Sequence, residues 1–397
     1  MEEVEIQTLE QPVKTEIKQR GITIGLPRNP ENGDRRFPLT PEAVRTLVDD
    51  YEFKVFLEGG AGNHIHYSDN AYSTHGALIC SRAEALRADI VISAPNLTRN
   101  DIDAMRRNAT LWTVTEPSLL SRSMLEAANS KSITIVSLPA LAHPDGHKPV
   151  DDILSQIDGR AAVSVAAGFL ADGVHGKGIL LGGVTGIVPC EIVIIGGTTA
   201  GIAAARSGLG LGALVRMFDN DLCRLRSAEY MLTNRVVGSS LHRNVYLSAL
   251  RTADIVINTL KGAESLAARV DITEANLLKK GAILFDFNRE ENTVFPSMRH
   301  IDLAPAVESM PLLTERTCFV NPGNAVPRTS AMALSNAIVP LLAQLARADD
   351  RTFMDAVRMN SFLGSGLITF GGKLVNLQTA LATGMKWVDP AIFLNLS

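Results

Sequence analysis

The residues best placed to do chemistry lie between Ile192 and Asp219. A β-branched run, Ile192 to Ile195, leads into Gly196-Gly197-Thr198-Thr199-Ala200-Gly201. An Ala-rich segment through Ala203 to Ala205 follows, then a second apolar run that stops at Asp219. That order builds a strand, a phosphate turn at a helix N-terminus, a second strand and a carboxylate for the adenosine ribose, so the expected ligand is NAD. Thr198 stands where the G-x-G-x-x-G pattern has its second glycine, the point at which backbone comes closest to a pyrophosphate. Gly197 and Gly201 flank it, and Asp219 lies at roughly the ~20-residue distance usual for the ribose carboxylate. A carboxylate there accepts from ribose hydroxyls and repels a 2′-phosphate, which favours NAD over NADP. Arg224, just beyond, either pairs with Asp219 or lies along the adenosine edge.

The elements that must hold this turn read as α/β. At 397 residues the chain exceeds the size at which one core stops growing, so two domains are expected. Hydrophobic residues make up 46% and charged residues 20%, the balance of a packed globular protein. A net charge of −4 argues against nucleic acid as the main partner. No apolar run is expected to reach the ~20 residues that span a bilayer. The first twenty residues form a polar tail without an apolar signal core, and the expected location is the cytoplasm. Cys80, Cys190, Cys223 and Cys318 lack metal-ligand spacing and read as buried thiols rather than zinc ligands or disulfides. His64 and His66 fall in a loop, and His147 and His175 read as surface residues.

Strands are expected at Ile22 to Leu26, Lys54 to Glu58, Ile90 to Ser93 and Ile133 to Ser137. Thr40-Pro41-Glu42 opens a helix with Thr40 as N-cap, and Ser81 to Arg87 forms another. A long helix from Ile153 to Leu170 carries small residues, among them Gly159, Ala162 and Ala166, which suit burial between domains or against a subunit. Further strands fall at Ile255 to Leu260 and Ala282 to Phe287. Helices at Ala331 to Arg347 and Arg351 to Phe362 are expected to pack back on the first domain.

Several motifs carry a resemblance. They are Arg36-Phe37-Pro38-Leu39-Thr40-Pro41-Glu42, Glu58-Gly59-Gly60-Ala61-Gly62, Gly178-Ile179-Leu180-Leu181-Gly182-Gly183-Val184 and Asn324-Ala325-Val326-Pro327-Arg328-Thr329-Ser330, with Ala333 to Ala337 beyond. With these the chain resembles the alanine dehydrogenase and pyridine-nucleotide transhydrogenase α-subunit family over almost its full length. The resemblance implies an α/β fold of two Rossmann-like domains with mostly parallel sheets and an active-site cleft between them. Residues 21–152 plus 327–397 form the expected substrate domain, 153–326 the NAD-binding domain and 1–20 a tail. It also implies NAD-dependent, reversible oxidative deamination of a small amino acid, alanine to pyruvate by default, in a homo-oligomer, a dimer or hexamer.

Arg36 matches the family's residue for the substrate carboxylate. The chain departs from the family elsewhere: Val91-Ile92-Ser93-Ala94-Pro95-Asn96 lacks its lysine, Glu116 stands for its catalytic histidine, and Glu290 stands for its catalytic aspartate. Deamination needs a group that titrates near neutrality, and Glu116 meets that need if burial or a neighbour such as Glu290 raises its pKa. Val320 and Asn321 are implied at the nicotinamide amide. Ser155, Leu260 and Asn288 complete the expected cofactor contacts. The alternative is a non-catalytic NAD(H)-binding or redox-sensing protein, or a soluble transhydrogenase-like subunit.

Overall fold

The computed structural model describes residues 21–31, 33–288, 292–303, 317–346, 361–390 and 392. The polar tail, Glu290 and most of the expected helix from Arg351 to Phe362 lie outside the described residues.

Six short apolar strands open the fold: β1 Thr23–Leu26, β2 Lys54–Glu58, β3 Leu78–Cys80, β4 Ile90–Ser93, β5 Thr110–Thr113 and β6 Thr134–Ser137. Seven follow: β7 Glu191–Ile195, β8 Leu214–Phe218, β9 Val237–Ser239, β10 Ile255–Asn258, β11 Ile283–Asp286, β12 Arg299–Asp302 and β13 Thr317–Val320. Then come β14 Leu367–Phe370 and β15 Lys373–Leu374. They divide into two sheets, ordered β15-β14-β6-β5-β4-β1-β2-β3 and β12-β13-β11-β10-β7-β8-β9. All pairings are parallel except those of β14 with β6 and β15. In each sheet the order reverses beside the first strand, between β1 and β4 and between β7 and β10. Ligands of open α/β sheets bind at such switch points, outside the strands' C-terminal ends. β4, β5, β7 and β10 are buried along their whole length, as strands covered on both faces must be.

Helix α1, Pro41–Tyr51, starts where Thr40 Oγ1 accepts from the Ala43 amide. The long helix α2, Pro149–Ala171, links the sheets, and its small residues pack on α3, Thr199–Gly210, which follows the glycine turn. Helix α4, Leu222–Met231, follows β8, and α5, Pro327–Ala346, leaves the second sheet. From α5, Ala331, Leu334, Ile338 and Leu342 join the core of the first sheet together with Ile24, Leu26, Val44, Leu47 and Trp112. The chain thus returns to the first sheet, and β14 and β15 extend it by an antiparallel edge that helical periodicity alone did not reveal.

α5 is long and apolar enough to cross a membrane by length and composition. Half of its most apolar stretch is buried, however, and its apolar side chains fill the first core, so its composition is that of a core helix.

Candidate active site

The loop after β1 carries Arg36. The Asn29 amide holds this loop by donating to the Asp34 and Arg36 carbonyls, both at 2.7 Å. Behind the loop, the Thr40 amide donates to Ser335 Oγ of α5 at 2.9 Å, and the Arg35 amide donates to Asn324 Oδ1 at 3.2 Å. The C-terminal motif therefore braces the loop from the far end of the sequence. Arg36 Nε donates to both oxygens of Asp34 at 2.9 Å, and Nη2 also bonds Asp34. Burial works against the Arg36 charge, but Asp34 beside it, with Asp158 and Glu116 farther off, outweighs burial and raises its pKa.

Glu116 leaves the end of β5 and meets Lys261, which leaves the end of β10 in the other sheet. Lys261 Nζ lies 2.5 Å from Glu116 Oε1 and 3.6 Å from Asp151 Oδ1 of α2. Burial lowers the Lys261 pKa, and the charges of Glu116 and Asp151 raise it further than burial lowers it. Lys261 is held by a side-chain network. Asn288 Oδ1 accepts from the Gly262 amide at 2.9 Å, Asn288 Nδ2 donates to the Leu260 carbonyl at 2.5 Å, and Asn258 Oδ1 accepts from the Leu260 amide at 3.2 Å. Asp286 in turn accepts from both asparagine side chains. Leu260 is buried. The expected cofactor contacts Leu260 and Asn288 are thus, in this geometry, the mount of Lys261.

Asp151, Ser155 and Asp158 fall on one face of α2 at helical spacing. Asp158 Oδ1 accepts from the Gly323 amide at 2.9 Å. Burial pushes its carboxyl up to about 6, although Arg36, Lys261 and the Gly323 amide pull it down. Asp151 is also raised, by burial first. Asn321 takes a left-handed backbone, φ 52°, and its Nδ2 donates to Asp302 at 2.6 Å, while Val320 is buried at the end of β13. Sequence reasoning missed Lys261, Asp151, Asp158 and Asp34. Two signals were available: a lysine directly after a strand at a switch point, and carboxylates in helical register with Ser155.

The glycine turn fits a pyrophosphate. Gly196 has φ +104°, and a Cβ there would lie 2.7 Å from Thr259 Oγ1. A Cβ on Gly201 would lie 2.0 Å from the Gly196 carbonyl oxygen, so only glycine lets α3 start this close to β7. The first amides of α3, including those of Thr199 and Ala200, have no acceptor within the helix, and such a helix end favours anions. Thr198 is the N-cap: its Oγ1 accepts from the Gly201 amide at 3.1 Å and bonds Thr259 Oγ1 at 2.8 Å. Thr199 Oγ1 donates to Asp152 at 2.9 Å.

Asp219, at the end of β8, is buried and paired with Arg224. Burial raises its pKa, but the Arg224 bonds and the Gly197 and Asp221 amides lower it further than burial raises it. Of the expected histidines, His147 pairs with Asp152 at 2.9 Å and His175 with Asp172 at 3.3 Å.

Comparison with known proteins points to one family. Residues 25–157 match the family described as Alanine dehydrogenase/PNT, N-terminal domain, and 162–377 match Alanine dehydrogenase/PNT, C-terminal domain. The alanine dehydrogenase of Mycolicibacterium smegmatis is 30% identical over 384 residues, covering 94% of this chain and all of that one. That of Geobacillus stearothermophilus is 29% identical over 373 residues, covering 93% and 98%. A solved L-alanine dehydrogenase superposes with a TM-score of 0.76 at 26% identity, covering 91% of this chain and 99% of that one. The transhydrogenase of Sinorhizobium meliloti shares the fold, with a TM-score of 0.69 at 17% identity over 90% of this chain and 99% of that one. On these matches and on the two-sheet architecture, the chain belongs to the alanine dehydrogenase/PNT family.

Proposed function

We propose that this chain is an NAD-dependent oxidoreductase of the alanine dehydrogenase type, converting a small amino acid, alanine by default, and its 2-oxo acid. Residues 21–152 with 327–397 form the substrate domain and 153–326 the nucleotide domain. The observation that carries the reading is the charge cluster in which Glu116, after β5, bonds Lys261, after β10, while Lys261 and Arg36, of the loop after β1, both act on Asp158 of α2. In support, Leu260 and Asn288 follow β10 and β11, and Val320 ends β13 with Asn321 after it, all at the C-terminal ends of the second sheet's strands.

Residues 196–201 would hold the pyrophosphate, and the nicotinamide supplies the hydride acceptor when bound. Arg36 holds the substrate carboxylate, sharing its guanidinium with Asp34. Asp158, with a pKa of about 6, takes the proton that the amine must lose. Lys261 donates to the substrate's developing carbonyl oxygen, and Glu116 keeps that ammonium charged and aimed. With the amine proton on Asp158 and the Cα hydride gone, the substrate is an imine; water adds to it, bringing the oxygen that Lys261 faces, and ammonia leaves the resulting carbinolamine to give the 2-oxo acid.

A second reading, a non-catalytic nucleotide-binding protein, is favoured by one feature: Asp34, Glu116 and Arg224 already neutralise Arg36, Lys261 and Asp219 internally. Incubation with NAD and a panel of amino acids, following NADH absorbance, separates the two. Turnover that depends on Arg36 supports the enzyme, and nucleotide binding without turnover on any substrate supports the binder.

A further inference from the structure

The corner where the adenosine ribose would rest is already filled by protein charge. Asp219 Oδ2 accepts from the Gly197 amide at 2.7 Å and from Arg224 Nε at 2.6 Å. Its Oδ1 accepts from the Asp221 amide and Arg224 Nη2, both at 2.9 Å. A carboxylate offers about four acceptor positions, so this one has none left for ribose hydroxyls. Asp221 fixes Arg224 by capping α4 and accepting from the Cys223 and Arg224 amides. The Arg224 carbonyl also packs on the glycine turn, 3.2 Å from where a Cβ on Gly197 would stand. On its outer side Arg224 Nη2 donates to Glu264 Oε2 at 2.9 Å, and that glutamate side chain is 62% exposed.

We propose that Arg224 makes this nucleotide site accept NADP(H) as well as NAD(H), with a 2′-phosphate replacing Glu264 on the guanidinium. The inference rests on the nicotinamide-dinucleotide reading above. Asp219 repels a 2′-phosphate only while its charge is uncompensated, and here Arg224 compensates it at hydrogen-bond distance. A guanidinium presents a fork suited to phosphate oxygens. Glu264, held by one exposed ion pair, costs little to displace, whereas the buried Asp219 stays in place. The residue that decides the 2′ position is then Arg224 and not Asp219.

The test is equilibrium binding of NADH and NADPH to the full chain, read from reduced-nicotinamide fluorescence with no substrate present. The two dissociation constants are expected to agree within about tenfold. Glu264→Gln is expected to tighten NADPH severalfold and leave NADH unchanged. Arg224→Ala is expected to weaken NADPH by about tenfold or more while leaving NADH equal or tighter, because Asp219 is then released to the ribose. Should Arg224→Ala fail to fold, Glu264→Gln still decides. NADPH binding roughly a hundredfold weaker than NADH in the unmodified chain overturns the inference, as does a ratio that moves in neither variant. Binding of neither nucleotide overturns the dinucleotide reading, and this inference with it.

Discussion

Lys261 is reachable only through the fold. Its partner Glu116 is 145 positions away in sequence, and the two meet because β5 and β10 end at the same cleft. Val91 to Asn96 holds no lysine, and nothing local marked residue 261 as a cation facing the first sheet. Lys261→Met is expected to lower kcat/KM by about 10²-fold while leaving thermal unfolding almost unchanged, since a half-exposed ion pair contributes only about 0.2–1 kcal/mol. Steady-state kinetics beside a melting curve checks this; equal losses in both would mean a structural role. Asp158 gives a pH signature. Its pKa is raised in the fold from 3.8 to about 6, so the folded state holds this proton more tightly. Its contribution to stability is complete below pH 3.8 and is lost as pH rises through about 6. Asp158→Asn removes that loss and keeps an acceptor for the Gly323 amide. Denaturant titration should show the variant more stable than the parent at pH 8, by on the order of 2 kcal/mol, and no such gain at pH 4. The same variant should abolish any rise in kcat/KM across pH 6.

At the scale of elements, the glycine turn shows how much was legible and where legibility stopped. The order of strand, turn, helix, strand and Asp219 stood in the sequence, because apolar runs and glycines report backbone directly. What Thr198 does was not legible: it caps α3 through Gly201 and bonds Thr259, a residue 61 positions away. Thr198→Ala should destabilise the chain by about 1 kcal/mol and Thr198→Gly by only a few tenths, as N-caps do. Chemical denaturation of the two variants decides this, and equal stability of parent and alanine variant would rule out the cap. The short strands β3 and β5 and the β14 and β15 edge went unseen for a related reason. Two to four residues, some polar, carry too little periodicity, and tertiary pairing with β2, β4 and β6 makes them strands.

For the whole molecule, the segment between α2 and β7 leaves apolar side chains in solvent. Leu180, Ile187 and Val188 are 68%, 67% and 78% exposed, and Leu211 and Leu214 lie nearby at 51% each. Val184 and Ile187 pair as a small bridge at its tip. A patch of this kind predicts self-association. Sedimentation at micromolar concentration should show an oligomer that the double variant Ile187→Glu, Val188→Lys dissociates, and a monomeric parent would refute it. In the proposed function the two sheets meet to form a working oxidoreductase cleft. Its most direct test is NADH formation by the purified chain from NAD and L-alanine, with Arg36→Ala and Lys261→Met in parallel. Turnover is expected in the parent, with near loss of it in both variants. Bound nucleotide with no turnover across a panel of amino acids and 2-oxo acids would contradict it.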